Sequence, residues 1–136
     1  MSTMFEGGCA CGAVRYSVAG EPVAMSDCQC RQCQRESGTG HASHLVFAGA
    51  AVTISGQASF WDMVGDGGAA KRRAFCPQCG APVYQIFPDM PDVFVVRAGS
   101  LDDPRLYQPN AVTWTAAAQH WDRLDPALTA FERMPA

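Results

Sequence analysis

Seven cysteines stand in three groups along the chain, and their spacing is typical of metal ligands. A triplet lies within residues 27–35, one pair precedes it and another follows it; the groups are Cys28, Cys30 and Cys33, then Cys9 and Cys11, then Cys76 and Cys79. Four thiolates complete the tetrahedral coordination of Zn²⁺, whereas three leave one position for water or a substrate. The cysteines therefore predict a closed zinc site built from the two pairs. The triplet is predicted to form a second, open zinc site, where chemistry can occur.

The two pairs have the spacing of a structural zinc site. Two residues separate Cys76 from Cys79, and Gly80 supplies a residue that can adopt a positive φ without a Cβ clash. Cys9 and Cys11 would share one face of a strand, so their thiolates can also converge on an ion. Two alternatives stay open but fit less well. A disulfide within either pair would be strained, and a redox Cys-x-x-Cys motif needs a βαβ context that the flanking segments do not supply.

The triplet can form an open site because a strand end that turns into a short helix would bring three sulfurs to one ion. Three thiolates leave Zn²⁺ with a net negative charge, which favours binding of an oxygen or sulfur ligand over activation of water. Arg31 and Arg35 are nearby cations that can offset this charge. Three other interpretations stay open: a fourth protein ligand from His41 or His44, a metal-free thiol cluster, or a metal incidental to a surface function.

Composition and charge exclude several classes of protein. The 136 residues are 48% hydrophobic and 17% charged, with a formal net charge of −3, which suits one folded domain over residues 1–136. The chain lacks the basic surface of a nucleic-acid binder, and no apolar run approaches the roughly 18–20 residues of a membrane span. Residues 1–8 show no signal peptide, so we expect a cytoplasmic protein. In the cytoplasm, cysteine pairs bind metal or serve redox chemistry rather than forming disulfides.

Most of the chain is predicted to form short strands. β-branched and aromatic residues alternate or cluster in the segments 13–18, 51–55, 59–63, 82–87 and 93–98, the last of which is apolar on both faces. One helix is predicted over 32–36, and a second from the N-cap Asp125 to a point before Pro135. The segment 111–120 fits either a helix or a strand. The expected fold is mainly β, with zinc-bearing loops and little helix.

Three stretches of the chain together resemble the glutathione-dependent formaldehyde-activating enzyme family, which includes relatives of centromere protein V. They are residues 7–16, the triplet with Gln34, Arg35 and Gly38, and residues 73–80. The resemblance implies a mainly antiparallel β fold with two zinc ions per chain. It implies that a structural zinc is bound by Cys9, Cys11, Cys76 and Cys79. It implies that a catalytic zinc is bound by Cys28, Cys30 and Cys33. It also implies a carbon–sulfur lyase that forms S-hydroxymethylglutathione from glutathione and formaldehyde.

Such a lyase would bind a small-molecule thiol or a thiol–aldehyde adduct at the triplet. A proton must pass between oxygen and sulfur, and His41 or His44 is the nearest candidate carrier. The family commonly has histidine between the first two triplet cysteines, where this chain has Gln29, which cannot shuttle a proton near neutral pH. Two alternative functions stay open: an enzyme for a different thiol conjugate, and a non-enzymatic zinc module that binds a partner. A homodimer also stays open, whereas nucleic-acid binding would need a basic tail.

Overall fold

The computed structural model describes residues 3–65 and 67–135, which form eleven strands in two sheets within those ranges. In chain order the strands are β1 (Met4–Gly8), β2 (Arg15–Ala19), β3 (Ala24–Cys28), β4 (Ala42–Ala48), β5 (Ala51–Ser55), β6 (Ser59–Val64), β7 (Ala70–Phe75), β8 (Pro82–Ile86), β9 (Val93–Arg97), β10 (Ala111–Thr113) and β11 (Thr129–Ala130). One sheet has the order β1-β2-β5, and the other β11-β10-β3-β4-β9-β8-β7-β6. All pairs are antiparallel except β10 with β3 and β10 with β11.

The core lies between the two sheets and follows from the alternation of apolar residues along the strands. Tyr16 and Val18 point inward from β2, while Leu45 and Phe47 point inward from β4, and all four are buried in one cluster. Side chains at every second position share a sheet face, so each of these strands directs its apolar residues into the core from its own sheet. Burial of each such side chain contributes about 1.5–3 kcal/mol to folding.

The described residues contain one α-helix, α1 (Arg31–Ser37), which follows β3 directly. Its N-cap is Cys30, whose sulfur accepts the backbone N–H of Cys33 at 3.2 Å. Gly38 ends the helix with φ 79°, a left-handed conformation that glycine adopts at low cost. Short 3₁₀ turns follow β9 and β10 at Ala98–Ser100, Pro104–Leu106 and Thr115–Ala117. None of the helices in the described ranges has the length and apolar character needed to span a bilayer.

The mainly β prediction is confirmed, and so is the short helix within 32–36 that ends at Gly38. The ambiguous segment 111–120 contains both a strand, β10, and a 3₁₀ turn. The predicted helix from Asp125 is wrong, because that segment completes a sheet edge instead. Asp125 begins a turn. After this turn the backbone N–H of Thr129 bonds to the carbonyl of Asn110, and that of Phe131 bonds to the carbonyl of Val112. Strand β11 therefore pairs with the edge of β10. Pairing with an exposed strand edge outweighed the local helix signals.

Candidate functional site

The four cysteines of the two pairs meet between two turns of the fold. Cys9 and Cys11 lie in the turn from β1 to β2, while Cys76 and Cys79 lie in the turn from β7 to β8. All four sulfurs lie within 4.8 Å of one another, although the pairs are far apart in sequence. The prediction that the first pair shares a strand face is wrong, since the turn after β1 brings its sulfurs together. We call this group the four-cysteine cluster.

Backbone N–H groups already point at the sulfurs of the four-cysteine cluster. Val14 donates to the Cys9 sulfur at 3.2 Å, and this bond is the main cause that lowers the pKa of the Cys9 thiol to about 6. Gln78 donates to the Cys76 sulfur at 3.3 Å. Gly80 has φ 76°, as predicted for the residue that follows the Cys-x-x-Cys turn. Such donors favour the thiolate form, which is the form that binds a metal.

The triplet is brought together by the junction of β3 with α1. Cys28 ends the strand, Cys30 caps the helix and Cys33 lies in the first helical turn, and their sulfurs lie within 4.8 Å of one another. Cys28 and Cys33 are buried, whereas Cys30 is partly exposed. We call this group the three-cysteine cluster. The predicted turn from strand into helix is therefore what assembles it.

The thiols of the three-cysteine cluster cannot all ionise together without a cation. Hydrogen bonds from Cys28 and Cys33 hold the pKa of the Cys30 thiol far below its usual range, while contacts with Cys28 and then with Cys30 raise the pKa of the Cys33 thiol. One thiolate in such a group suppresses the ionisation of its neighbours, and a bound cation removes that conflict. Both clusters therefore fit a thiophilic metal ion, and their sulfur-only donors suit zinc. Within the described ranges, no histidine or carboxylate joins the three sulfurs as a fourth ligand.

Two arginines, the buried Arg97 and the partly buried Arg73, lie beside the three-cysteine cluster and were not predicted from the sequence. Glu36, one helical turn after Cys33, forms ion pairs with Arg73 at 2.7 Å and with Arg97. Burial lowers the pKa of the Arg97 guanidinium to about 10, while the charge of the cluster thiolates acts in the opposite direction. These arginines, from β7 and β9, therefore offset the negative charge of the cluster. They supplement the helix residues Arg31 and Arg35, and nothing in the local sequence identifies them.

His41 and His44 have different surroundings, and neither belongs to the group of sulfurs that could hold a metal ion. His44 lies against the guanidinium of Arg97, and burial is the main cause that lowers its pKa to about 4. His44 is therefore neutral near pH 7 and poorly suited to carry a proton. The Nδ1 atom of His41 lies 3.0 Å from one carboxylate oxygen of Asp122, and the other oxygen accepts from the Gln29 amide at 2.9 Å. The pairing of both residues with Asp122 was not predicted.

A cavity of about 370 Å³ opens beside the partly exposed sulfur of the three-cysteine cluster. It is lined by Cys30, Arg31, Gln32, Val64, Gly65, Lys71, Trp114 and Ala117. Two cations and an indole ring therefore surround a space that reaches one thiol of the cluster. A larger cavity of about 660 Å³ lies against Cys9 and Ala10 of the β1–β2 turn, but no triplet cysteine lines it. We call the smaller space the Cys30 cavity and regard it as the candidate substrate site.

Comparison with known proteins assigns this arrangement to a family. Residues 4–117 match the family described as glutathione-dependent formaldehyde-activating enzyme. The chain belongs to this family. A Halomonas elongata protein named "Putative glutathione-dependent formaldehyde-activating enzyme" is 29% identical over 118 residues, covering 80% of this chain and 73% of that protein.

A solved structure supports the fold independently of the family match. The crystal structure of a Rhodobacter sphaeroides protein aligns with a TM-score of 0.55 and 20% identity, covering 74% of this chain and 92% of that chain. At this identity the likeness concerns the fold alone. The matched residues 4–117 of the formaldehyde-activating family contain all seven cysteines of both clusters. They also contain every residue that lines the Cys30 cavity.

Proposed function

We propose that this protein is a zinc-dependent carbon–sulfur lyase that adds a thiol to an aldehyde and catalyses the reverse cleavage. The substrates proposed are glutathione and formaldehyde, which give S-hydroxymethylglutathione. The family assignment supports an enzyme of this kind. The observation that carries the proposal is the three-cysteine cluster, one residue of which, Cys30, lines a cavity together with two cationic residues.

Cys28, Cys30 and Cys33 are proposed to hold the catalytic zinc through their three thiolates. Zinc bound in this way supplies a Lewis acid for an oxygen or sulfur ligand. Arg73 and Arg97 stabilise the thiolate form of the three ligands, since their positive charges lie beside the buried sulfurs. Trp114, which packs against the cluster, limits the access of water to it.

The proposed reaction is an addition without oxidation or reduction. The sulfur of the thiol forms a bond to the carbonyl carbon, and the π electron pair of the C=O bond moves to oxygen. The proton that leaves sulfur ends on that oxygen, which gives a hydroxymethyl thioether. In the reverse direction the C–S bond breaks, the hydroxyl proton returns to sulfur, and the carbonyl is restored.

The cations of the Cys30 cavity support glutathione as the thiol. Glutathione carries two carboxylates, and Arg31 and Lys71 are the charged residues of the cavity wall. Neither residue forms an ion pair with a carboxylate of the described ranges, and the Arg31 guanidinium donates to the side-chain oxygen of Gln34. Hydrogen bonds between ionised partners contribute about 1.5–3 kcal/mol each. A thiol with carboxylates at the right distance would therefore bind more tightly than a neutral thiol.

The four-cysteine cluster is proposed to hold a structural zinc. It joins the β1–β2 turn to the β7–β8 turn, and so ties the two sheets to each other. Seven reduced thiols and a glutathione substrate both suit the reducing cytoplasm, which is where we place the activity.

Exchange NMR spectroscopy of formaldehyde with glutathione tests the proposed function. The protein should increase the exchange rate between free formaldehyde and S-hydroxymethylglutathione when glutathione is present. The same measurement on a panel of other thiols and aldehydes separates this pair from a different thiol conjugate. A protein with its full zinc content that changes no exchange rate for any pair would refute the lyase assignment.

A further inference from the structure

Trp114 has a backbone conformation that bulky residues rarely adopt. Its φ and ψ are 60° and 39°, in the left-handed region, and it is the one non-glycine residue with positive φ within 3–65 and 67–135. For a large aromatic residue this conformation is an outlier that the surrounding structure must enforce. Backbone strain of this kind concentrates at functional sites, so the position of the ring is of interest.

The C-terminal segment 131–133 holds the turn at Trp114 through backbone hydrogen bonds. The backbone N–H of Trp114 bonds to the carbonyl of Arg133 at 3.2 Å, and the N–H groups of Thr115 and Ala116 bond to Phe131 and Glu132 at 3.1 Å each. The guanidinium of Arg133 lies 5.6 Å from the centre of the indole ring. Three backbone bonds and a cation–π contact therefore fix both the turn and the ring.

The opposite side of the turn is fixed to the three-cysteine cluster. The Gln34 amide donates to the carbonyl of Gln29 at 2.8 Å and to that of Ala117 at 3.0 Å, and Gln34 is buried. This side chain connects helix α1, the loop between the first two triplet cysteines, and the 3₁₀ turn after Trp114. The position of the ring relative to the sulfurs is therefore determined on both sides.

The ring itself lies where the sulfur cluster meets the cavity. Trp114 packs against the buried group formed by Cys28, Cys33 and Ala42, and it lines the Cys30 cavity. The indole therefore borders both the buried part of the cluster and the cavity, which is the space that a group on the reacting carbon would occupy.

We propose that Trp114 is a specificity-determining residue that limits the size of the substituent on the reacting carbon. The inference rests on the proposed function, since it concerns the aldehyde that adds to the thiol. A rigid ring held from both sides leaves room for the hydrogens of formaldehyde and collides with longer chains. A wall of this kind discriminates by about 10–200-fold for each additional methylene group. The strained turn is retained because it directs the indole to this position.

The test compares the wild-type protein with Trp114→Ala for a series of aldehydes with glutathione: formaldehyde, acetaldehyde and propionaldehyde. For the wild type we expect kcat/KM to fall at least about tenfold for each added carbon. The variant should lose most of this dependence, so that its ratio between formaldehyde and propionaldehyde shrinks at least about tenfold. Trp121→Ala is the matched control, since Trp121 is 55% exposed and is not among the residues of the Cys30 cavity. An unchanged size preference in Trp114→Ala would overturn the proposal.

Two additions keep the test decisive. If Trp114→Ala does not fold, Trp114→Gly replaces it, because glycine removes the ring and adopts the left-handed conformation without strain. Calorimetric binding of S-methylglutathione and S-propylglutathione gives a readout that does not depend on turnover. A size preference in binding that the variants abolish, without turnover of any pair, supports the Trp114 assignment and refutes the lyase. Turnover with the same size preference in all proteins refutes the Trp114 assignment alone, and the absence of both turnover and binding of either compound refutes both.

Discussion

The side-chain amide of Gln29 donates a hydrogen bond of 2.9 Å to the carboxylate of Asp122, 93 residues further along the chain. Gln29 is buried between Cys28 and Cys30, and Asp122 also accepts from His41. Gly40 permits this approach, since a Cβ atom there would lie 2.3 Å from the Asp122 side chain. Gln29 is therefore a structural donor, which fixes the C-terminal segment to the loop of the three-cysteine cluster.

Removing this acceptor should destabilise the protein. Asp122→Ala leaves the buried Gln29 amide without its partner, and an unsatisfied buried donor costs about 1–3 kcal/mol. Urea unfolding followed by circular dichroism measures the change in the free energy of unfolding. Asp92→Ala is the control, since Asp92 is exposed, and a loss of equal size in both variants would contradict the importance of the Gln29–Asp122 bond.

The ion pairs of Glu36 should contribute strongly to stability. Glu36→Ala leaves Arg73 and Arg97 without their carboxylate, and removal of one partner from a buried ion pair costs about 3–5 kcal/mol. Asp103→Ala is the matched control, because Arg105 in that pair is largely exposed and the loss should stay below about 1 kcal/mol. Denaturant unfolding of both variants gives the comparison. A loss near the control value for Glu36→Ala would show that the arginines do not depend on it.

The sequence predicted those features that depend on local pattern. Cys28, Cys30 and Cys33 lie close in sequence, so the turn from strand into helix could be foreseen from their spacing and from Gly38. The strand Val93–Arg97 was also identified as central from its apolar residues on both faces, and it lies between β4 and β8. In both cases neighbouring residues determine the outcome, which is why pattern alone was sufficient.

Features that depend on distant contacts could not be predicted. Asp125 and Pro126 are favourable residues for a helix start, but the segment that follows them pairs with the edge of β10 as strand β11. Arg97 and Asp122 carry no local signal of their roles, because the fold brings them to α1 and to the cluster loop from far along the chain. The identity of the metal and the roles of the two clusters stay predictions.

All three tyrosines should resist ionisation until the protein unfolds. Burial is the main cause that raises the pKa of Tyr16 to about 12, and it also raises the pKa values of Tyr84 and Tyr107. A raised pKa in the folded state contributes stability that is complete below the unfolded value of about 10 and is lost as the pH rises towards 12. The absorbance of tyrosinate should therefore appear together with the loss of β-sheet circular dichroism. Ionisation of the folded protein near pH 10 would contradict the burial of these phenols.

Lys71 should affect the KM for an anionic thiol more than it affects kcat. Lys71→Gln removes one charge from the Cys30 cavity, and loss of one ionic hydrogen bond should raise the KM for glutathione roughly tenfold. Steady-state kinetics with glutathione and with 2-mercaptoethanol distinguish loss of carboxylate binding from a general effect of the substitution. The KM for 2-mercaptoethanol should not change, since this neutral thiol has no carboxylate that Lys71 could bind. Arg105→Gln, at an exposed position, should leave both KM values unchanged. Equal effects of Lys71→Gln on both thiols would exclude carboxylate binding at this residue.

The four-cysteine cluster should hold the fold, whereas the three-cysteine cluster should not be needed for it. Cys76→Ser removes a buried sulfur from the junction of two distant turns, and a structural zinc contributes directly to folding. We expect this variant to unfold or aggregate. Cys30→Ser should remain folded, with a thermal midpoint close to that of the wild type, because Cys30 is partly exposed and serine is also a favourable N-cap for helix α1. Equal destabilisation by the two substitutions would contradict the division into a structural and a reactive cluster.

The three-cysteine cluster is the central element of the account, and the exchange rate of the folded Cys30→Ser protein tests it most directly. The wild type should hold about two zinc ions per chain, and the variant about one, by elemental analysis of the same samples. Exchange NMR spectroscopy with glutathione and formaldehyde should then show catalysis by the wild type and only the uncatalysed rate with the folded variant. Wild-type exchange rates in a folded Cys30→Ser protein that has lost one zinc would contradict the assignment of the reaction to this cluster.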